Sequence, residues 1–392
     1  MYLDCIKMIA ETHWNVPFIF KGATIIRDRN SWTDGKYLAD IFNQKLLSFR
    51  IGKRQKSFFG DRVQFEKDCI HIQSTVDDFL SWTTSTDNNS LSNDHPFSQY
   101  PNKEYFAYAD YMHLPELFGN DQHPLIDMIN WSDMGLKDRC GKESTLWIGS
   151  QGSHTPCHYD TYGINFVAQI VGRKRWLLFP PDSAISQLQT RIPYEESSVY
   201  LDIEPMVLDK FHNIDVYDIT LEPGDVLFVP KHWWHFVSSI DSITISVNSW
   251  LKQPNDNVEQ IKEMLVRQII TSTMISHDYS SDQWLNHNEV VTDPVTNLTI
   301  LSSLMINSES TEVKEPLSKR SRNVITPADY VCEQRLTSTL LGNIVLSHSN
   351  EPTTTTNMSS DVSDNDILLK RLVKAMTARD TIDLIYNKLF SI

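Results

Sequence analysis

From Ser144 to Ser249 the chain runs as a series of short apolar segments, each closed by residues that favour turns. Ser144 to Gly149 reads as one strand, residues 155–160 begin another, and 164–171 make a third. Gly172-Arg173 supplies a tight turn, and 174–179 returns as a strand that stops at Pro180-Pro181. Val216 to Leu221 runs into Glu222-Pro223-Gly224-Asp225, with proline and glycine at turn positions. Val226 to Val229 and Ile243 to Ser249 complete the set. Many short strands with such punctuation form sandwiches or barrels. The expectation is a mainly β chain with α additions: a double-stranded β-helix, or jelly-roll, core with flanking helices.

The flanks read differently. Residues 1–13 suggest a short helix, and Pro17 to Gly22 a strand entering a turn. Tyr37 to Leu47 has helical spacing, after which Ser48 to Ile51 turns extended. Thr75 suits the N-cap of a helix through Trp82, with Asp77 and Asp78 in a first turn where carboxylates complement the helix dipole. Residues 84–102 are loop-like, and Tyr105 to Ala109 is a strand. Beyond Trp250, residues 255–275 place Val258, Ile261, Leu265 and Ile269 on one helical face. Residues 295–366 are rich in Ser, Thr, Asn and Asp, and are expected to be disordered for want of apolar surface to bury. Leu368 to Leu389 reads as an amphipathic helix with Leu369, Leu372, Val373 and Met376 on one side. The division is therefore a β domain over 1–255, a helical extension over 256–294, a disordered stretch over 295–366 and a terminal helix over 367–392.

Net charge is −15, which is not the basic footprint of a general nucleic-acid binder. The five cysteines form no Cys-x-x-Cys pair, so neither a disulfide framework nor a zinc ribbon is suggested. Asp4 and Lys7 interrupt the first apolar stretch, and no run of eighteen apolar residues occurs, so neither a signal peptide nor a membrane span is expected. The default address is cytoplasmic. Lys319-Arg320-Ser321-Arg322 leaves the nucleus open, although an exposed charge cluster is the plainer reading.

Within the strand-rich region stand His158-Tyr159-Asp160 and, far along the chain, His235 in Val229-Pro230-Lys231-His232-Trp233-Trp234-His235. Residues two apart on a strand share a face, so His158 and Asp160 both point inward. A late strand lying opposite would supply His235. Two imidazoles and one carboxylate can hold one face of an iron(II) octahedron and leave the other open. Trp233 and Trp234 would pack nearby and exclude water. Cys157, between inward neighbours, faces the other way. His154, His212 and His232 lack this support and read as exposed or hydrogen-bonded histidines.

Three segments, Gly152 to Asp160, Gly172 to Pro181 and Pro223 to His235, together resemble the JmjC-domain, cupin-like 2-oxoglutarate oxygenases. The likeness covers about residues 15–255 and is strongest to the small hydroxylase branch. Glu143 to Ser150 and Arg191 to Val199 are similar to JmjC proteins associated with small heat-shock proteins. The resemblance implies Fe(II) as cofactor, held by His158, Asp160 and His235, and 2-oxoglutarate as cosubstrate. It also implies that Thr155 and Lys174 hold the distal carboxylate of 2-oxoglutarate, helped by Tyr105 or alternatively Tyr108. Asn165 and Asn248 match polar positions near the cosubstrate. Counting forward from His158 would select Arg173 in place of Lys174; the Gly172 turn and the Pro180 corner favour Lys174. An extra residue between Asp160 and Gln169 calls for a bulge.

The function implied is hydroxylation of a protein side chain. A non-catalytic adaptor for a small heat-shock protein in a stress response is the alternative, and an RNA hydroxylase is a further one that the acidic charge disfavours. The partners expected are thus a protein substrate or a small heat-shock protein, with no membrane, nucleic acid disfavoured, and a homodimer open through the helices beyond residue 255.

Overall fold

The computed structural model describes residues 15–54, 63–85, 91–119, 123–137, 139–190, 198–201, 216–253, 255–273, 292–309, 335–336 and 375–390. The expected helix at 1–13, His212 and the basic run at 319–322 lie outside them. The strands are β1 (Phe18–Phe20), β2 (Leu47–Lys53), β3 (Ile70–Ser74), β4 (Tyr105–His113), β5 (Thr145–Ser150), β6 (His154–Asp160) and β7 (Ile164–Val171), then β8 (Lys174–Phe179), β9 (Ser198–Tyr200), β10 (Val216–Leu221), β11 (Val226–Val229), β12 (Trp234–Ser239), β13 (Ile243–Leu251) and β14 (Arg335–Leu336). The helices are α1 (Gly35–Phe42), α2 (Val76–Thr84), α3 (Leu114–Phe118), α4 (Pro124–Met128), α5 (Asp256–Thr273), α6 (Pro294–Glu309) and α7 (Arg379–Phe390).

Two antiparallel sheets carry the fold. One has the order β1-β11-β7-β13-β5-β4-β2-β3, the other β14-β10-β8-β12-β6-β9. Apolar side chains of both meet in one cluster: Val167, Leu227 and Val229 from the first sheet against Trp176, Leu178, Ile219 and Val237 from the second. The outer face of the larger sheet packs on α1 and α2 through Leu38, Phe42, Phe79 and Trp82. Mainly antiparallel sheets facing one another over such a core make a jelly roll. α2 begins as its sequence suggests: Thr75 Oγ1 accepts from the Asp78 amide at 3.1 Å, and Asp78 Oδ2 accepts from the Thr75 amide at 3.4 Å. This reciprocal cap satisfies two donors that a helix end leaves open.

Bulges adjust which residues face the interior. β6 pairs β12 as His235↔His158 but Val237↔Thr155, so β6 carries one residue more. The extra residue reverses the alternation and puts Thr155 and His158, three apart, on the same face. β4 does the same against β5, where the register shifts between Ala109 and Met112. The bulge in β7 lies between Gln169 and Val171, just past the interval in which the sequence calls for one. The Gln169 amide donates there to the carbonyls of Val171 and Gly172 at 2.9 Å.

Two features of the C-terminal region differ from the sequence reading. Residues 294–309, inside or bordering the stretch expected to be disordered, form α6. Leu301 is buried against Ile261, Leu265 and Ile270 of α5. Asn297 is fully buried, and its amide donates to Thr271 Oγ1 at 3.2 Å. Packing against a neighbour, not composition alone, thus supplies the apolar burial that a polar-looking segment lacked. Among the described residues of the terminal stretch, 375–376 are helical, the chain turns at Thr377, and α7 follows from Arg379 to Phe390 with Ile382 on the same cluster; Leu369, Leu372 and Val373 lie outside the described residues.

Candidate metal centre

β6 and β12 are hydrogen-bonded neighbours, so His235 reaches the site from the adjacent strand and not from one lying opposite. Alternation puts Asp160 on the face of His158. The two imidazole rings stand 4.2 Å apart between centroids, and His158 Nε2 lies 3.7 Å from Asp160 Oδ1. Ligand atoms from all three side chains fall within 4.8 Å of one another. All three side chains are largely withdrawn from solvent.

Each ligand is oriented by a partner behind it. His158 Nδ1 pairs with the Pro156 carbonyl and His235 Nδ1 with the Trp233 carbonyl, both at 2.8 Å. With Nδ1–H donating to a carbonyl, the lone pair is left on Nε2, the tautomer a metal ligand needs. The Trp250 indole donates to Asp160 Oδ2 at 3.2 Å. Burial, and then proximity to His235, pushes the His158 pKa down to about 3, so its imidazole is neutral at physiological pH. Two imidazole nitrogens and a carboxylate oxygen, converging and locked from behind, fit a divalent transition metal.

The centre opens into a cavity between the sheets. At one end stand Thr155, Lys174, Tyr108 and Ser246. Lys174 is 2 % exposed and donates to Ser246 Oγ at 2.8 Å and Tyr108 Oη at 3.2 Å. Burial lowers its pKa to about 7. No ion pair to Lys174 occurs among the described residues, so a buried cation there is costly unless a ligand supplies the counter-charge. Asn248 Nδ2 donates to Asn165 Oδ1 at 3.1 Å, and the Trp147 indole donates to Asn248 Oδ1 at 2.8 Å. Trp147, Trp176 and Trp250 complete the apolar wall.

Residues 11–257 match the family described as the cupin-like domain. The chain belongs to the cupin-like, JmjC family. HSPB1-associated protein 1 of Homo sapiens is 40% identical over 280 residues, covering 70% of this chain and 56% of that protein. JmjC domain-containing protein D of Dictyostelium discoideum is 26% identical over 224 residues, 54% of this chain and 46% of that one. The lysine-specific demethylase JMJ30 of Arabidopsis thaliana is 37% identical over 145 residues, 33% of this chain and 32% of that one. The chain spans about half the length of the HSPB1-associated proteins it matches. Members of the JmjC family are typically Fe(II)- and 2-oxoglutarate-dependent oxygenases.

Tyr105, Trp233 and Trp234 fall elsewhere in this cupin-like domain than expected, while Arg173, His154 and His232 stand outside the metal centre as the sequence suggests. Tyr105 is turned away from the cavity and rests against Tyr100, at 5.5 Å between ring centroids. Tyr105 and Tyr108 are three apart on a stretch of β4 before its bulge, so they take opposite faces; Tyr108 lines the cavity. Arg173 is at the surface in an ion pair with Asp241 at 2.8 Å. Trp234 packs outward with Cys157, and Trp233 joins the inter-sheet core with its indole on the Asn15 carbonyl, so neither shields the centre. His154 is buried, with Nδ1 on the Gly152 carbonyl and its ring near Phe106 and Phe236. His232 pairs with the Thr161 carbonyl at 2.9 Å. Ser246, Trp147, Trp176 and Trp250 went unnoticed in sequence; alternation along β13 from the matched Asn248 would have found Ser246 and Trp250.

Proposed function

We propose that this chain is an Fe(II)- and 2-oxoglutarate-dependent hydroxylase acting on a protein side chain. The observation that carries the reading is the buried Lys174, without an ion-pair partner among the described residues, facing the same cavity as the converged ligands His158, Asp160 and His235. One part of the cavity suits a carboxylate and another a metal, the two features that a chelating keto acid with a distal carboxylate calls for.

In this reading His158 Nε2, His235 Nε2 and an Asp160 oxygen hold the iron. Lys174 binds the distal carboxylate through a charge-assisted hydrogen bond, with Thr155, Tyr108 and Ser246 beside it. Asn165 and Asn248 present a fixed pair of amides near the keto acid. When bound, iron and 2-oxoglutarate supply the oxidising chemistry: dioxygen and a C–H bond become an alcohol while the keto acid leaves as succinate and carbon dioxide. The chain's own contribution is orientation and exclusion of water. The Trp147, Trp176 and Trp250 walls supply the exclusion, and the carbonyl locks on both histidines the orientation. The test is succinate release by the iron-loaded chain with candidate protein substrates, against a His158→Ala control. Release that is indifferent to His158→Ala defeats the reading.

A second reading rests on a different observation. The human relative bears the name HSPB1-associated protein 1, so this chain is also a candidate binder of a small heat-shock protein. Capture of such a protein by both the wild type and Asp160→Ala supports an adaptor role independent of metal; capture by neither removes it.

A further inference from the structure

The second bulge brings one side chain into the cavity at a conformational cost. Tyr111 sits at φ 51° where β4 shifts register against β5. A left-handed non-glycine residue is strained and persists only when its surroundings hold it. Three contacts hold this one. Its hydroxyl donates to Glu66 Oε1 at 3.2 Å, it shares a 3.4 Å hydrogen bond with Tyr200 Oη, and its ring lies 4.6 Å from Trp147. Tyr200 in turn stacks on His158 at 5.3 Å.

Tyr111 stands at the end of the cavity away from Lys174. Ser198, paired with Asp160 across β9 and β6, lines that end with it. Tyr111 is 37 % exposed and Lys174 is 2 % exposed, so the Tyr111 end is the open one. Asp160 and the Trp250 indole face it, and Glu66 lies behind the phenol. Lys174, at the closed end, is the only cation among the described residues that line the cavity.

We propose that Tyr111 is the specificity-determining residue of this centre, stacking on the apolar or cationic side chain presented to it. The proposal deepens the hydroxylase reading by naming the wall that selects the substrate. The bulge exists to turn this ring inward; an unbulged β4 would send it to the outer face. The Glu66 and Tyr200 bonds fix the ring so that little freedom is lost on binding. The exposed aromatic face of Tyr111 accepts an apolar or cationic side chain.

The experiment is saturation-transfer NMR of pentapeptides Gly-Gly-Xaa-Gly-Gly, one per residue type, on the full-length metal-free chain. Wild type, Tyr111→Phe, Tyr111→Gly and Tyr105→Phe are compared. Glycine is at ease at positive φ, so Tyr111→Gly removes the ring without adding strain, and Tyr111→Phe keeps the ring as a second variant. The result expected is contact with apolar and cationic side chains that depends on the Tyr111 ring. Binding should weaken about threefold to tenfold in Tyr111→Gly, the worth of one aromatic contact. Tyr111→Phe should fall between Tyr111→Gly and wild type, and Tyr105→Phe should match wild type. No contact with any peptide, or wild-type binding by Tyr111→Gly, overturns the proposal. The readout needs no iron, so its failure is separable from failure of the chain to bind iron and 2-oxoglutarate.

Discussion

His158 and His235 face each other across a hydrogen-bonded strand pair, with both Nδ1 atoms on carbonyl oxygens at 2.8 Å. Each carbonyl lies two residues earlier in its own chain, at Pro156 and Trp233. The ligand geometry is therefore built by local backbone, and both imidazoles are preset before any metal arrives. Pre-orientation of this kind lowers the entropic cost of coordination.

The first expectation concerns the partner of the carboxylate. Trp250→Phe removes the indole that holds Asp160 Oδ2 and leaves the three ligands in place. Metal affinity should fall by about 10–100-fold, read by titration of the metal-free chain with Co(II) or Fe(II). His235→Ala, which deletes a ligand, should cost more than Trp250→Phe in the same titration.

Lys174 gives the second. Lys174→Met keeps the stem and removes the ammonium, and should weaken 2-oxoglutarate binding by about 10–100-fold, the worth of a charge-assisted hydrogen bond. Metal binding should be unaffected. Calorimetry of the metal-loaded chain with 2-oxoglutarate separates the two effects.

The third follows from the lowered pKa of Lys174. Burial brings it to about 7 in the ligand-free chain, so the ammonium is fully charged below that pH and loses its proton above it. A carboxylate ligand binds the charged form. Affinity for 2-oxoglutarate should hold constant on the acid side of pH 7 and decline about tenfold per unit above it, until the pKa of the complex is reached. In Lys174→Met the slope above pH 7 should vanish.

The two β4 tyrosines supply a fourth, sharper contrast. Tyr108→Phe removes the hydroxyl that accepts from Lys174 at 3.2 Å, while Tyr105→Phe alters a ring packed on Tyr100 outside the cavity. Tyr108→Phe should lower 2-oxoglutarate affinity by about threefold to tenfold, and Tyr105→Phe should leave it unchanged.

The jelly-roll strands were legible because their alternation and turns are local. His158 and Asp160 share a face for the same reason. Three things were not local. Thr155 stands three residues before His158, so its place in the cavity depends on the β6 bulge, which appears only in the pairing with β12. The choice between Tyr105 and Tyr108 depends on which face of β4 meets the second sheet, a property of both sheets together. The adjacency of β12 to β6 depends on strand order, because five further strands come between them in the chain. Helix α6 escaped notice because its buried face includes Asn297, which looks solvated until its partner Thr271 is brought beside it.

The central claim is that one cavity joins a two-histidine, one-carboxylate centre to a carboxylate-binding lysine. Anaerobic titration of the full-length chain with Fe(II) and 2-oxoglutarate tests it directly, through the visible charge-transfer absorbance of a keto acid chelated to ferrous iron. The account predicts that the band appears in wild type, is lost in Asp160→Ala, and needs higher 2-oxoglutarate in Lys174→Met. A wild-type chain that shows no band at saturating iron and 2-oxoglutarate, or a band that survives Asp160→Ala, contradicts it.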